Sequence, residues 1–208
     1  MNTLFWVGLA QYLFVIMLTL LAIRTRFLVK MGIVLVAIIL FIGQFTLTNK
    51  EITKVFKENI IKTKLATVEQ FKYFEPVQRL RSNIFLAKKK NGRVVYFIAH
   101  SFNMNENDDK NIEIPENMGC TGEAWNTKQQ IWGDKKRIFE EGRYRVPDEE
   151  LKKVEKDLFW VCSTPILDRH GNVVAVLNFD GNRDLNEKQI EEIKTHCKKI
   201  AEELKPFI

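Results

Sequence analysis

Residues 158–182, LFWVCSTPILDRHGNVVAVLNFDGN, constrain the fold of this chain more than any other segment. Residues 159–167 are apolar except for Ser163 and Thr164, and residues 173–179 are mostly β-branched and apolar. Each run has the length and composition of a buried strand. Between them stands Asp168-Arg169-His170-Gly171-Asn172, where Asp and Asn can bond the local backbone and Gly can take positive φ. The segment therefore reads as a tight hairpin of two buried strands ending in an acidic turn.

Upstream lies Gly119-Cys120-Thr121-Gly122-Glu123-Ala124. Gly119, Gly122 and Ala124, followed by Pro165, Ile166, Gly171, Val176, Leu177, Asn178, Phe179 and Asp180, resemble the GAF domain family of small ligand-sensing modules. In that family a glycine-marked helix start precedes such a last hairpin. The resemblance implies an α/β (α+β) fold, a GAF-like central antiparallel sheet flanked by helices, with a ligand cavity over the sheet. It also implies that the first helix packs beside the last and carries signals between modules.

The N-terminal part has a different character. Residues 3–23 form an uncharged run of 21, and residues 31–47 a second of 17, both within reach of a bilayer core. Met1-Asn2-Thr3 lacks the basic side chain of a signal peptide, and Arg24-Thr25-Arg26 stands where a small-residue cleavage site would be. Two retained helices joined by a short basic loop are expected, giving a transmembrane hairpin over 1–48, a juxtamembrane basic helix over 49–82 and a GAF-like domain over 83–208. Gln11 and Gln44 fall at similar depth in such a hairpin, suited to a hydrogen bond between the helices.

Charge supports an orientation. Lys50, Lys54, Lys57, Lys62 and Lys64 outnumber Arg24, Arg26 and Lys30 of the loop, which draws both termini and the domain to the cytoplasm. The net charge is +6, yet residues 83–208 carry 21 basic and 22 acidic side chains. The domain gives no electrostatic footprint for nucleic acid. The basic stretch suits anionic lipid headgroups, or simply a solvated helix face. Cys120, Cys162 and Cys197 are odd in number and lack metal-ligand spacing, as in a reducing compartment.

Apolar residues at spacings of three and four predict a helix leaving the membrane over 49–80, interrupted by Pro76. Strands are expected at 83–89 and 93–102 around the hairpin signal Asn91-Gly92. A polar loop over 103–111, a short helix over 119–127, a strand at 129–132 and a short helix opened by Pro147 and Asp148 follow. The last helix starts at Asn186, with Gln189 at the capping-box position, and its stripe is Ile190, Ile193, Cys197, Ile200, Leu204 and Phe207.

Chemistry is less explicit. Gly119, Thr121 and Gly122 at a helix entry could present amides to an anion, although a structural turn is the better explanation of so short a glycine pattern, and Glu123 disfavours a bare phosphate. Trp125 and Trp132 could stack a planar ligand, while Trp160 suits the core. The candidate ligand site is thus Gly119, Thr121, Gly122, Glu123, Trp125 and Trp132. Cys120 and Cys162 invite comparison with free methionine sulfoxide reductases, GAF enzymes that need a nucleophilic and a resolving thiol. Here one cysteine sits in a turn, one in a strand and Cys197 on a packed helix. His100, His170 and His196 are too scattered for a metal site, and no bilin or cyclic-mononucleotide pattern is present.

The expected protein is a membrane-anchored small-molecule sensor that signals through its transmembrane helices or a membrane partner, as a homo-oligomer and without turnover. One alternative is a ligand-triggered membrane-disrupting effector of the antiphage type, by architectural analogy. The other is the reductase. The ligand is a small molecule, nucleotide-like ones included; the further partner is membrane lipid, and no cofactor is named. The expected location is the cell membrane, multi-pass, with the C-terminal domain cytoplasmic.

Overall fold

The computed structural model describes residues 12–17, 27–74, 79–104, 111–139, 146–154 and 158–208. The chain divides into two compact units, Met1–Phe56 and Lys57–Ile208. In the first, residues 12–17 are helical, and helix α1 runs from Phe27 to Ala66 without a break. The second uncharged run lies on α1. Ile38, Ile39, Leu40, Phe41 and Ile42 are all about half exposed or more, at 49–63%. Five successive helical residues sweep the whole circumference, so this stretch is apolar on every face.

Among the described residues no helix is long and apolar enough to cross a membrane. Most of the first run, and the loop residues 24–26, lie outside the described residues. The expected two-helix hairpin is therefore not part of the described fold.

The second unit begins inside α1. Ile61 and Leu65, then Val68 and Phe71 on the 3-10 turns Thr67–Phe74, are at most 3% exposed and belong to the main core. The end of the expected juxtamembrane helix is thus a structural part of the domain. The expectation of helix as far as Leu80 is corrected: α1 ends at Ala66, and strand β1, Leu80–Lys90, begins at Leu80. Ser82 Oγ donates to Leu65 O at 2.8 Å, answering a terminal helix carbonyl from within the strand. Arg81 and Ser82 look like boundary residues in sequence but are buried on β1.

The sheet has six antiparallel strands in the order β3-β2-β1-β6-β5-β4. The others are β2 (Arg93–Phe102), β3 (Glu113–Pro115), β4 (Ile131–Asp134), β5 (Trp160–Leu167) and β6 (Val173–Gly181). Asn91 and Gly92 take φ 51° and 77°, the two left-handed residues that a type I′ hairpin turn requires. In the β5–β6 turn, Asp168 Oδ1 accepts from the amides of His170 and Asn172, both at 2.8 Å. The strand expected at 129–132 lies two residues later, and β3 was not anticipated from its polar surroundings.

Helices α2 (Gly119–Thr127), α3 (Lys135–Phe139), α4 (Asp148–Leu151) and α5 (Glu187–Leu204) complete the domain. Asn186 and Gln189 form the expected reciprocal capping box on α5. Ile193, Cys197, Ile200 and Leu204 of α5 share a core with Ile84, Cys162, Leu177 and Phe179 from one sheet face. The opposite face, under α2, holds a smaller core around Phe85, Tyr96, Ala124 and Val176.

Candidate ligand-binding site

Residues alternate between sheet faces along a strand, so Arg81, Asn83 and Phe85 of β1 share one face, as do Asn178 and Asp180 of β6. The register sets Arg81 opposite Asp180 and Asn83 opposite Asn178. Four polar side chains therefore meet mid-sheet on the face away from α5. Arg81, Asn83, Asn178 and Asp180 are only 3, 3, 5 and 4% exposed.

They form the floor of a cavity of about 100 Å³. Ile112, Ile114, Val146, Leu151 and Val161 give it apolar walls, and Gly119, Cys120 and Thr121 of the first turn of α2 close one side. Gly119 has φ +64°, and an added Cβ would stand 3.1 Å from Val146 Cγ2. Both facts favour glycine here. A larger groove beside Gln70, Phe71 and His196 is open to solvent and lacks such a convergence of buried polar groups.

Buried polar groups are costly unless bonded. Arg81 Nε donates to Asp180 Oδ1 at 2.5 Å. Asn83 Nδ2 stands 3.4 Å from Met104 Sδ and 3.5 Å from Asp180 Oδ2. Asn178 Nδ2 donates to Thr121 Oγ1 at 2.9 Å and ties the floor to α2. Two acceptors remain unanswered: neither Asn83 Oδ1 nor Asn178 Oδ1 has a hydrogen-bond partner among the described residues. Leaving such a group unsatisfied costs roughly 1–3 kcal/mol. At the rim, Arg137 Nη2 bridges Glu123 Oε1 and Oε2 at 2.7 and 2.6 Å.

Of the residues singled out from sequence, Gly119, Thr121 and Glu123 line the cavity. Gly122 instead packs on the backbone of Asn117, where a Cβ would come within 2.9 Å of the carbonyl carbon. Trp125 stacks on Tyr96 with ring centroids 4.9 Å apart. Trp132 stacks on Trp160 at 5.2 Å. Its β4 position pairs with Cys162, so it lies on the face that packs against α5. The two tryptophans are therefore not brought together, and neither lines this cavity.

Sequence reasoning passed over Arg81, Asn83, Asn178 and Asp180 as site residues. A signal was present in β6, where Asn178 and Asp180 stand at i and i+2 in an otherwise apolar strand, but in β1 Ser82 between Arg81 and Asn83 hides the alternation.

The cysteines are all free and buried. Cys120 lines the cavity, and burial pushes its thiol up to about 12. Cys162 and Cys197 belong to the core on the other face, and burial holds the Cys197 thiol well above its usual range. Among the described residues no group of three His, Cys, Asp or Glu side chains could hold a metal ion.

Solved structures place this architecture. The GAF domain region of a protein from Geobacter sulfurreducens PCA is similar with a TM-score of 0.52 and 12% identity, over 77% of this chain and 99% of that one. Type II free methionine-R-sulfoxide reductase from Thermoplasma acidophilum is similar with a TM-score of 0.50 and 13% identity, over 74% and 94%. The GAF domain/HD domain protein from Geobacter sulfurreducens gives 0.50 and 10%, over 73% and 93%. No protein-family model and no curated protein matches the chain. The fold is GAF-like, an antiparallel six-stranded sheet with helices.

Proposed function

We propose that this protein is a membrane-anchored small-molecule sensor whose ligand rests on the floor formed by Arg81, Asn83, Asn178 and Asp180. The observation that carries this reading is the cross-strand pair of buried asparagines, each with a carbonyl oxygen unanswered among the described residues. Unpaired buried polar groups call for an explanation, and a ligand in the adjoining cavity supplies one. A cavity near 150 Å³ accommodates benzene. By that scale, a space of about 100 Å³ suits a ligand of roughly four to six non-hydrogen atoms, smaller than a nucleotide.

The membrane part of the proposal rests on the uncharged run 31–47 and its exposed, all-round apolar character on α1. Such a helix stretch suits lipid on every side. The run 3–23 would supply the second helix, and the five lysines from Lys50 to Lys64 would hold the domain at the cytoplasmic face. α1 continues as far as Ala66, with Ile61 and Leu65 in the core of the domain, so the helix that carries the uncharged run also contributes to the sensor's core.

Ligand then shifts the association of the helices only through different affinities for the two assembly states. The reductase reading is weaker, because Cys120 is the one cysteine at the cavity among the three, and burial opposes its thiolate. The test compares the oligomer distribution of the full chain in nanodiscs with and without the small-molecule extract of its own cells. A shifted distribution is expected; an unchanged one accompanied by turnover of methionine sulfoxide would reverse the assignment. A reporter fusion after Ile208 checks orientation, and efficient periplasmic alkaline phosphatase activity would refute it.

A further inference from the structure

We infer that the ligand of this cavity is a small primary amide or amino acid, which presents N–H donors to Asn83 and Asn178 and an acceptor to α2. The inference rests on the sensor reading above and adds the chemical class. Asn83 and Asn178 are directly opposed across β1 and β6. Opposed side chains start about 5 Å apart at Cβ, so one amino or amide nitrogen can reach both carbonyl oxygens.

The orientation of Asn83 is fixed by chemistry. Its amide nitrogen faces the Asp180 carboxylate, which accepts hydrogen bonds only, so its carbonyl oxygen is the group left to seek a donor. Asn178, oriented with its nitrogen donating to the Thr121 hydroxyl at 2.9 Å, leaves its own carbonyl oxygen with the same need. An acceptor-only anion such as nitrate or acetate would meet two carbonyl oxygens and be repelled.

The other side of the cavity has the opposite character. Gly119, Cys120 and Thr121 occupy the first turn of the nine-residue helix α2, where backbone N–H groups lack intrahelical acceptors. A ligand carbonyl or carboxylate is the complement. Among the described residues, the ionic side chains lining the cavity are Arg81, Arg137, Glu123 and Asp180, two of each sign, and each cation pairs with an anion. This described set is balanced in charge, as suits a neutral or zwitterionic guest. With about five non-hydrogen atoms, such a guest reaches at best roughly micromolar affinity.

The test titrates the full-length chain in detergent, with its isoleucine methyl groups isotope-labelled, against acetamide, glycine and alanine, and separately against acetate and nitrate. Methyl shifts at Ile112 and Ile114 report occupancy. Saturable shifts with at least one donor-bearing probe, none with the two anions, and at least about 10-fold weaker binding in both Asn83→Leu and Asn178→Leu are expected. Thermal unfolding of each variant alone separates lost binding from lost folding.

Binding of acetate or nitrate that is indifferent to Asn83→Leu would overturn the donor assignment while leaving the cavity a ligand site. Silence from every probe, in a chain whose methyl groups also fail to respond to the concentrated small-molecule extract of its own cells, would overturn both readings. A retained molecule lacking N–H groups would overturn this one alone.

Discussion

Replacing Arg81 by Met should destabilise the domain by about 3–5 kcal/mol, the cost of breaking a buried ion pair from one side. The side chains of Arg81 and Asp180 are 3% and 5% exposed, so solvent cannot take over the role of the lost partner. The guanidinium nitrogen at 2.5 Å would be gone, and the Asp180 carboxylate would keep the Asn83 amide at 3.5 Å. For a domain of this size each kcal/mol moves Tm by about 2–4 °C, so a fall of roughly 6–20 °C is expected.

The double variant Arg81→Met/Asp180→Leu should recover part of that loss, because the Asp180 charge is then no longer stranded. By contrast, Arg137→Met should cost less than Arg81→Met, since Arg137 is 37% exposed and water can take its place beside Glu123, itself 11% exposed. Thermal unfolding of the full chain followed by tryptophan fluorescence gives all three values, with Trp132 and Trp160 stacked in the core as reporters. A loss below about 1 kcal/mol in Arg81→Met, or a double variant no more stable than the single, would refute this account of the floor.

Two other outcomes follow from burial. Cys120, at about 12, should be about one part in ten thousand thiolate at pH 8, so iodoacetamide should leave it unmodified by mass until denaturant is added. His196 is bonded through both ring nitrogens, to Thr67 Oγ1 at 2.9 Å and Gln70 Nε2 at 2.8 Å; burial, then Lys199, lowers its pKa. Burial lowers that of His100 as well. Below about pH 6.5 the unfolded chain therefore binds more protons, and the stability present above that pH is lost as pH falls through the lowered folded values. Urea midpoints should drop between pH 7 and 5, and His196→Gln should flatten the slope; an unchanged slope would exclude His196.

What the sequence made legible was local. Asn91-Gly92, the Asp168–Asn172 turn and the Asn186–Gln189 capping box each carry their instructions within a few residues, and each was found as read. The helix 119–127 was legible for a related reason: Gly119 and Gly122 serve a positive φ and a close backbone approach. The floor was not legible, because Asn83 meets Asn178 only once β1 pairs with β6, strands far apart in the chain. Trp125 and Trp132 looked like stacking platforms until their partners were known. Tyr96 and Trp160 already occupy those faces, and neither could be assigned from spacing. Arg81 and Ser82 misled at the helix–strand boundary because buried polar residues resemble loop residues until Asp180 and the Leu65 carbonyl are seen beside them.

The central claim is that the asparagine-centred floor holds a small molecule. Native mass spectrometry of the full chain, as wild type and as Asn83→Leu/Asn178→Leu, each sprayed with the concentrated small-molecule extract of its own cells so that a micromolar ligand stays bound, addresses it most directly. A bound mass of about four to six non-hydrogen atoms on the wild type, absent from a folded double variant, is the predicted result. A wild type without any bound small molecule, or a bound mass retained in full by the variant, would contradict it.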